Sequence, residues 1–176
     1  MKRISLAIMI TCFASVPSWA SINREARKAI TESVSENAEV GFKKTYIGDD
    51  LKTLIETKSQ SSFLQNYIYF SPVTLDGVIV NYAIIDSAME RTAPFTFLVL
   101  FTPDLKIRNV TVIRYISRYG SGIRDSRWLK QFEGKTAGSG FRLNSNIDSI
   151  SGATISARSI ADALERLSLL IPHLVK

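Results

Sequence analysis

Phe95-Thr96-Phe97-Leu98-Val99-Leu100-Phe101, the turn Thr102-Pro103-Asp104, and then Ile107-Arg108-Asn109-Val110-Thr111-Val112-Ile113-Arg114-Tyr115-Ile116 decide the fold. Both runs are rich in β-branched and aromatic residues, and the segment between them is turn chemistry. So short a connection joins antiparallel neighbours, because parallel strands need a long crossover. Two similar runs lie upstream, Tyr67–Phe70 and Val78–Ile85, with Leu75-Asp76-Gly77 between them and Ala93-Pro94 before Phe95. The pattern predicts an antiparallel meander. In strict alternation Ile107, Asn109, Thr111, Ile113 and Tyr115 share one face of the last run, and Arg108, Val110, Val112, Arg114 and Ile116 share the other. Both faces are partly apolar, so helices are expected on one side and core or cofactor on the other.

Helical patterns flank this sheet. Ile22, Ala26, Ile30 and Val34 recur every four residues, the spacing of one helix face. A strand is expected at Val40–Ile47, then a short helix capped by Asp49 or Asp50 with Leu51, Leu54 and Ile55 inward. After the sheet, the glycine loop Tyr119-Gly120-Ser121-Gly122 leads to a short helix from Asp125 to Phe132, ended by Gly134. A Gly, Ser and Asn-rich loop follows from Lys135 to Asn146. The last helix runs from about Thr154 to Ile171, with Ile160, Leu164, Leu167 and Ile171 in one stripe and Pro172 as its stop. The expected class is α+β, an antiparallel sheet flanked by an N-terminal and a C-terminal helix.

The chain has 176 residues, 45% of them hydrophobic, and a net charge of +6. This is enough for one domain with a real core. No basic stripe interleaved with aromatics marks a nucleic-acid surface. Lys2-Arg3, the apolar stretch Ile4–Val16 and Pro17-Ser18-Trp19-Ala20 read as a secretory signal over residues 1–20, cleaved before Ser21. The alternative is a retained anchor, for which the apolar stretch is short. The single cysteine, Cys12, lies inside that stretch. A mature chain without it has no disulfide, no thiol nucleophile and no cysteine-ligated metal. His173 is the only histidine and lies near the C-terminus, which removes histidine triads and multi-histidine metal sites.

The chemistry concentrates in Asp148-Ser149-Ile150-Ser151-Gly152-Ala153-Thr154, a small-residue turn feeding a helix. Unpaired N–H groups and the helix dipole make such a place a phosphate site. Gly152 and Ala153 keep the approach open, and Ser151 and Thr154 add hydroxyls. Read from the residues alone, Ser151 or Thr154 capping an ordinary helix remains open beside it.

The segment resembles the flavinylation motif of the bacterial FMN-binding domain, Asp-x-x-(Ser/Thr)-Gly-Ala-(Ser/Thr). That domain occurs in the sodium-translocating NADH:quinone reductase, in the Rnf complex and in small exported proteins. Tyr115 through Lys135 is similar to the family's tyrosine, glycine loop and Trp-Leu-x-x-Phe-x-Gly-Lys segment. The resemblance covers about residues 66 to 171, so residues 66–176 read as the FMN-binding domain and 21–65 as a region packed on it. Ser117, Arg118 and Ile123 stand where family members often carry an acidic residue. The resemblance implies a flavin transferase that takes FMN from FAD and esterifies its phosphate to Thr154, with Asp148, Ser151, Gly152 and Ala153 as recognition positions. It further implies FMN as cofactor and an extracytoplasmic, periplasmic location. Trp128 and Tyr115 are candidates to pack on the ring, although Trp128, Leu129 and Phe132 also have core spacing. Lys130, Lys135 or Arg124 could face the reduced flavin or the phosphate. The bare domain has no spare acid–base set, which favours an electron carrier that meets a redox partner protein. The alternative is the flavin-bearing component of a reductase acting on a small acceptor.

Overall fold

The computed structural model describes residues 18–117 and 120–175. Residues 1–17 of the leader expected over residues 1–20, with Cys12, and also Arg118 and Tyr119, lie outside the described residues. Helix α1 (Trp19–Ser33) precedes β1 (Glu39–Val40), β2 (Lys43–Tyr46) and α2 (Asp49–Ser59). Then come β3 (Tyr67–Leu75), β4 (Val78–Met89), β5 (Pro94–Phe101) and β6 (Ile107–Arg114), and finally α3 (Ser126–Leu129) and α4 (Thr154–Leu174). The class is α+β: six strands form one antiparallel sheet between an N-terminal and a C-terminal helix. β3 to β6 make the expected meander, and both β1 and β2 pair with β3.

The layers follow from the alternation in β5. Phe95, Phe97, Val99 and Phe101 point to the α4 side, where Ile160, Leu164, Leu167 and Ile171 meet them. Leu98 and Leu100 point to the other side, under Ala26 and Ile30 of α1. Every residue of β5 except Pro94 is buried, because both faces are covered by helix. Cofactor therefore does not fill the second face, as one expectation had it; α1 does. Each fully buried ring here contributes roughly 1.5–3 kcal/mol. Ile47, Ile55 and Phe63 join the α4-side core, so the first third of the chain is built into the same structure.

Strict alternation fails in β6. Phe101 pairs with Ile107 and Leu100 with Asn109, and further on Thr96 pairs with Arg114 and Phe97 with Val112. One residue is extra at each step, and each bulge exchanges the two faces. Ile107, Val110 and Val112 consequently all enter the α4-side core. The first bulge sends Arg108 across to α1, where it donates to the Ser33 carbonyl at 3.1 Å and to Asn81 Oδ1 at 3.2 Å. A cation there suits the negative end of α1.

Three further boundaries differ from expectation. Gly48 takes the cap position of α2, and Asp49 and Asp50 lie in its first turn, where acids favour the dipole. The expected strand at Val40–Ile47 is split into β1 and β2 at Gly41, whose N–H is drawn off to Ser71 Oγ at 2.9 Å. Pro172 does not stop α4, which continues to Leu174. α1 begins two residues before the expected cleavage point, and the Trp19 ring stacks on Tyr69 with centroids 3.6 Å apart.

Candidate functional site

The turn before α4 is held by its backbone. Trp128 Nε1–H donates to the Asp148 carbonyl at 2.8 Å, and the Asp148 N–H donates to Gln131 Oε1 at 2.8 Å. Phe141 and Ile147 are buried beneath it. The Ala153 N–H closes the turn on the Ile150 carbonyl at 3.0 Å. Gly152 has φ of +73° with open space around its Cβ position, so the dihedral, not crowding, calls for glycine. Anchored in this way, the turn presents Asp148, Ser151 and Thr154 to solvent while Ala153 is buried.

At the helix start, Ala153 occupies the cap position, no side chain caps α4, and its first turn holds no acid. The capping role left open for Ser151 or Thr154 is thus not adopted. Thr154 is the first helical residue and is exposed. Its hydroxyl sits where the first-turn N–H groups and the positive end of the dipole favour an anion.

Thr154 also lines a cavity of about 410 Å³, within the range of small-molecule sites. It is lined by Gly152 to Ser156 at the start of α4, by Glu90, Arg91 and Thr92 of the β4–β5 hairpin, and by Ser117. Ser156 is buried and shares a hydrogen bond of 3.0 Å with the Tyr115 hydroxyl. Gly120 packs on that pair: a Cβ there would collide with Ser156 Oγ and the Tyr115 hydroxyl. Ile155, on the wall, and Met89 and Ile116, next in sequence to wall residues, are exposed apolar side chains.

Glu90 stands apart from its neighbours. It is 7% exposed, and its buried Oε2 has no hydrogen-bond partner among the described residues. An orphan of this kind ordinarily costs about 1–3 kcal/mol.

Trp128 and Tyr115, the residues expected to pack on the ring, do not line this cavity. Trp128 is buried edge-on against Phe132 with centroids 5.2 Å apart and is not part of the cavity wall. Tyr115 acts behind the wall, through Ser156, with its ring beside Phe95. Lys135 Nζ donates to the Gly140 carbonyl at 3.2 Å, and Lys130 and Arg124 are exposed away from the cavity lining. The structure thus brings Thr154, Gly152 and Ala153 together at the cavity, with Asp148 and Ser151 on the turn leading into it. Glu90, Arg91, Thr92, Ser117 and Ser156 were not singled out as cavity residues from sequence. Only the Ala93-Pro94 turn signal pointed to the hairpin that carries three of them.

Residues 92–168 match the FMN-binding domain family. Over these residues the chain is similar to that family, and FMN is the cofactor that the similarity supports. No curated protein matches the chain. The FMN-binding domain match takes in all of β5 and β6, the turn at Asp148–Thr154 and α4 as far as Ser168. Glu90 and Arg91 lie just ahead of it. The residues present suit FMN: an uncapped helix start for its phosphate, an exposed hydroxyl beside it, an adjoining cavity, and in its lining a glutamate with an acceptor unpaired among the described residues.

Proposed function

We propose that this is an exported electron carrier holding FMN through a phosphoester on Thr154. The observation that carries the reading is Thr154 itself, exposed at the first position of an uncapped helix and lining the cavity. In the attachment step, Thr154 Oγ attacks the FMN phosphorus of FAD on a flavin transferase. The Oγ–P bond forms, the pyrophosphate bond breaks, AMP leaves, and the hydroxyl proton passes to a base or to solvent. The first-turn N–H groups of α4 then hold the phosphate charge, and Gly152 keeps the turn in the shape that exposes Thr154.

When bound, FMN supplies one- and two-electron chemistry, which the protein positions and tunes. A covalent link suits a protein outside the cytoplasm, where a dissociated cofactor is lost by dilution. The lysine–arginine start and apolar stretch of the first 20 residues support export. Among the described residues no helix is long and apolar enough to cross a membrane. The exposed apolar residues Met89, Ile116 and Ile155 around the cavity suit brief docking of a redox protein.

Mass spectrometry of protein exported from cells with an active flavin transferase tests this reading. The peptide containing Thr154 should gain the mass of FMN less water. Thr154→Val should remove the adduct and the yellow colour, and Thr154→Ser should keep both. An unmodified wild-type peptide under these conditions defeats the covalent reading.

A further inference from the structure

We propose that Glu90 is a flavin-positioning residue, its carboxylate accepting a hydrogen bond from the N–H edge of the isoalloxazine ring. The proposal rests on the reading of Thr154 as the attachment point. Glu90 is held in the β4–β5 hairpin, where its N–H donates to the Ala93 carbonyl at 3.1 Å. Glu90 lines the cavity with its side chain nearly enclosed, and among the described residues its buried Oε2 meets no donor. A buried acceptor is almost always satisfied, and the cavity that Glu90 lines is where a ligand could bring a donor to this carboxylate with a small turn of the side chain.

The chemistry narrows which part of FMN that is. A carboxylate only accepts hydrogen bonds. It repels the phosphate, whose place is on the N-terminus of α4. The end of the cofactor remote from Thr154 is the ring, and its imide edge offers an N–H. Ile155 on the α4 wall gives the same cavity an apolar surface for the ring's body. Arg91, one residue on, is exposed and lines the same cavity.

Potentiometric titration of the flavinylated full chain and its Glu90→Gln and Arg91→Gln variants tests the assignment. Glutamine keeps the size of the side chain and removes its charge. Glu90→Gln should retain the adduct mass on Thr154 and favour the reduced flavin about tenfold, ~30 mV more positive for a two-electron couple. Its visible absorption band should move as the ring's hydrogen bond changes. Arg91→Gln should shift the midpoint less, in the opposite sense, and only at low salt. A Glu90→Gln protein with wild-type potential and spectrum overturns the proposal. So does a shift of equal size in Arg91→Gln, which would mean a general field effect, or loss of the adduct in Glu90→Gln, which would move Glu90 to the attachment step. A wild-type chain that never gains the adduct defeats the Thr154 reading instead, and the mass spectrum separates that failure from these.

Discussion

Strand β4 and the hairpin that follows it carry two buried carboxylates four residues apart, and the protein treats them in opposite ways. Asp86 faces α4, where Arg166 NH2 donates to its Oδ2 at 2.9 Å and both side chains are almost wholly enclosed. Arg166 also donates to Ser61 Oγ at 2.6 Å and to the Ser62 carbonyl at 2.7 Å, and lies over the Phe63 ring. One guanidinium thus ties the sheet, the long helix and the segment before β3 together. Glu90, just past the end of the strand, has no such partner for Oε2 among the described residues. The middle of α4 is fastened by charge supplied from within the chain. Its N-terminal end is left with an open helix start and an acceptor in want of a donor. The difference separates a carboxylate that holds the structure from one that waits on a ligand.

The largest break in that comparison comes from Arg166→Met. It strands the Asp86 charge and leaves the Ser62 carbonyl without its donor, at an expected cost of about 3–5 kcal/mol. Urea unfolding of the flavin-free protein measures it. Arg166→Met combined with Asp86→Leu should be clearly more stable than Arg166→Met alone, because an apolar pair replaces the ion pair without stranding a charge. A double variant no better than the single one would show that the serine contacts, not the charge pair, fasten α4.

Glu90→Met sharpens the contrast from the other side. Removing an orphaned acceptor should stabilise the flavin-free protein by ~1 kcal/mol. A loss of stability would place Glu90 with Asp86 as a structural residue.

The smallest effect is one of pH. Burial pushes the Asp86 carboxyl up from its ordinary value, against the lowering influence of Arg166 and of the Ser87 N–H. An acid whose folded pKa lies above its unfolded one contributes stability below the unfolded value, and loses it as pH rises through the folded value. The difference in unfolding free energy between wild type and Asp86→Asn should therefore move against the wild type as pH rises from about 3.9. A difference independent of pH would mean that Arg166 fully offsets the burial.

The sheet was legible because its signals are local: alternating Val, Ile, Phe and Tyr, and turns such as Asp76-Gly77. The turn into α4 and the exposed Thr154 at its head were legible because the motif is contiguous. Glu90 was not, since nothing around a glutamate in a hairpin marks it as buried. Nor was the Asp86–Arg166 pair, whose members are brought together across 80 positions. The bulges at Arg108 and Ile113 depend on the partner strand, and they overturned an alternation that looked regular in one dimension. Trp128 shows the reverse case, an aromatic beside the motif whose indole N–H is spent on the Asp148 backbone.

The borders of the sheet carry a last consequence. On one side lie the short strands β1 and β2, with Lys43 and Lys44 exposed and Lys44 Nζ 3.7 Å above the Tyr67 ring. On the other lies β6, bent by two bulges. Lysines and bulges are the devices by which a sheet edge turns away a further strand. Copies of this chain crowded together are thereby kept from stacking edge to edge into filaments. In the proposed carrier role a redox partner is therefore to be sought at the loops around Thr154, because the sheet offers it no rung to extend.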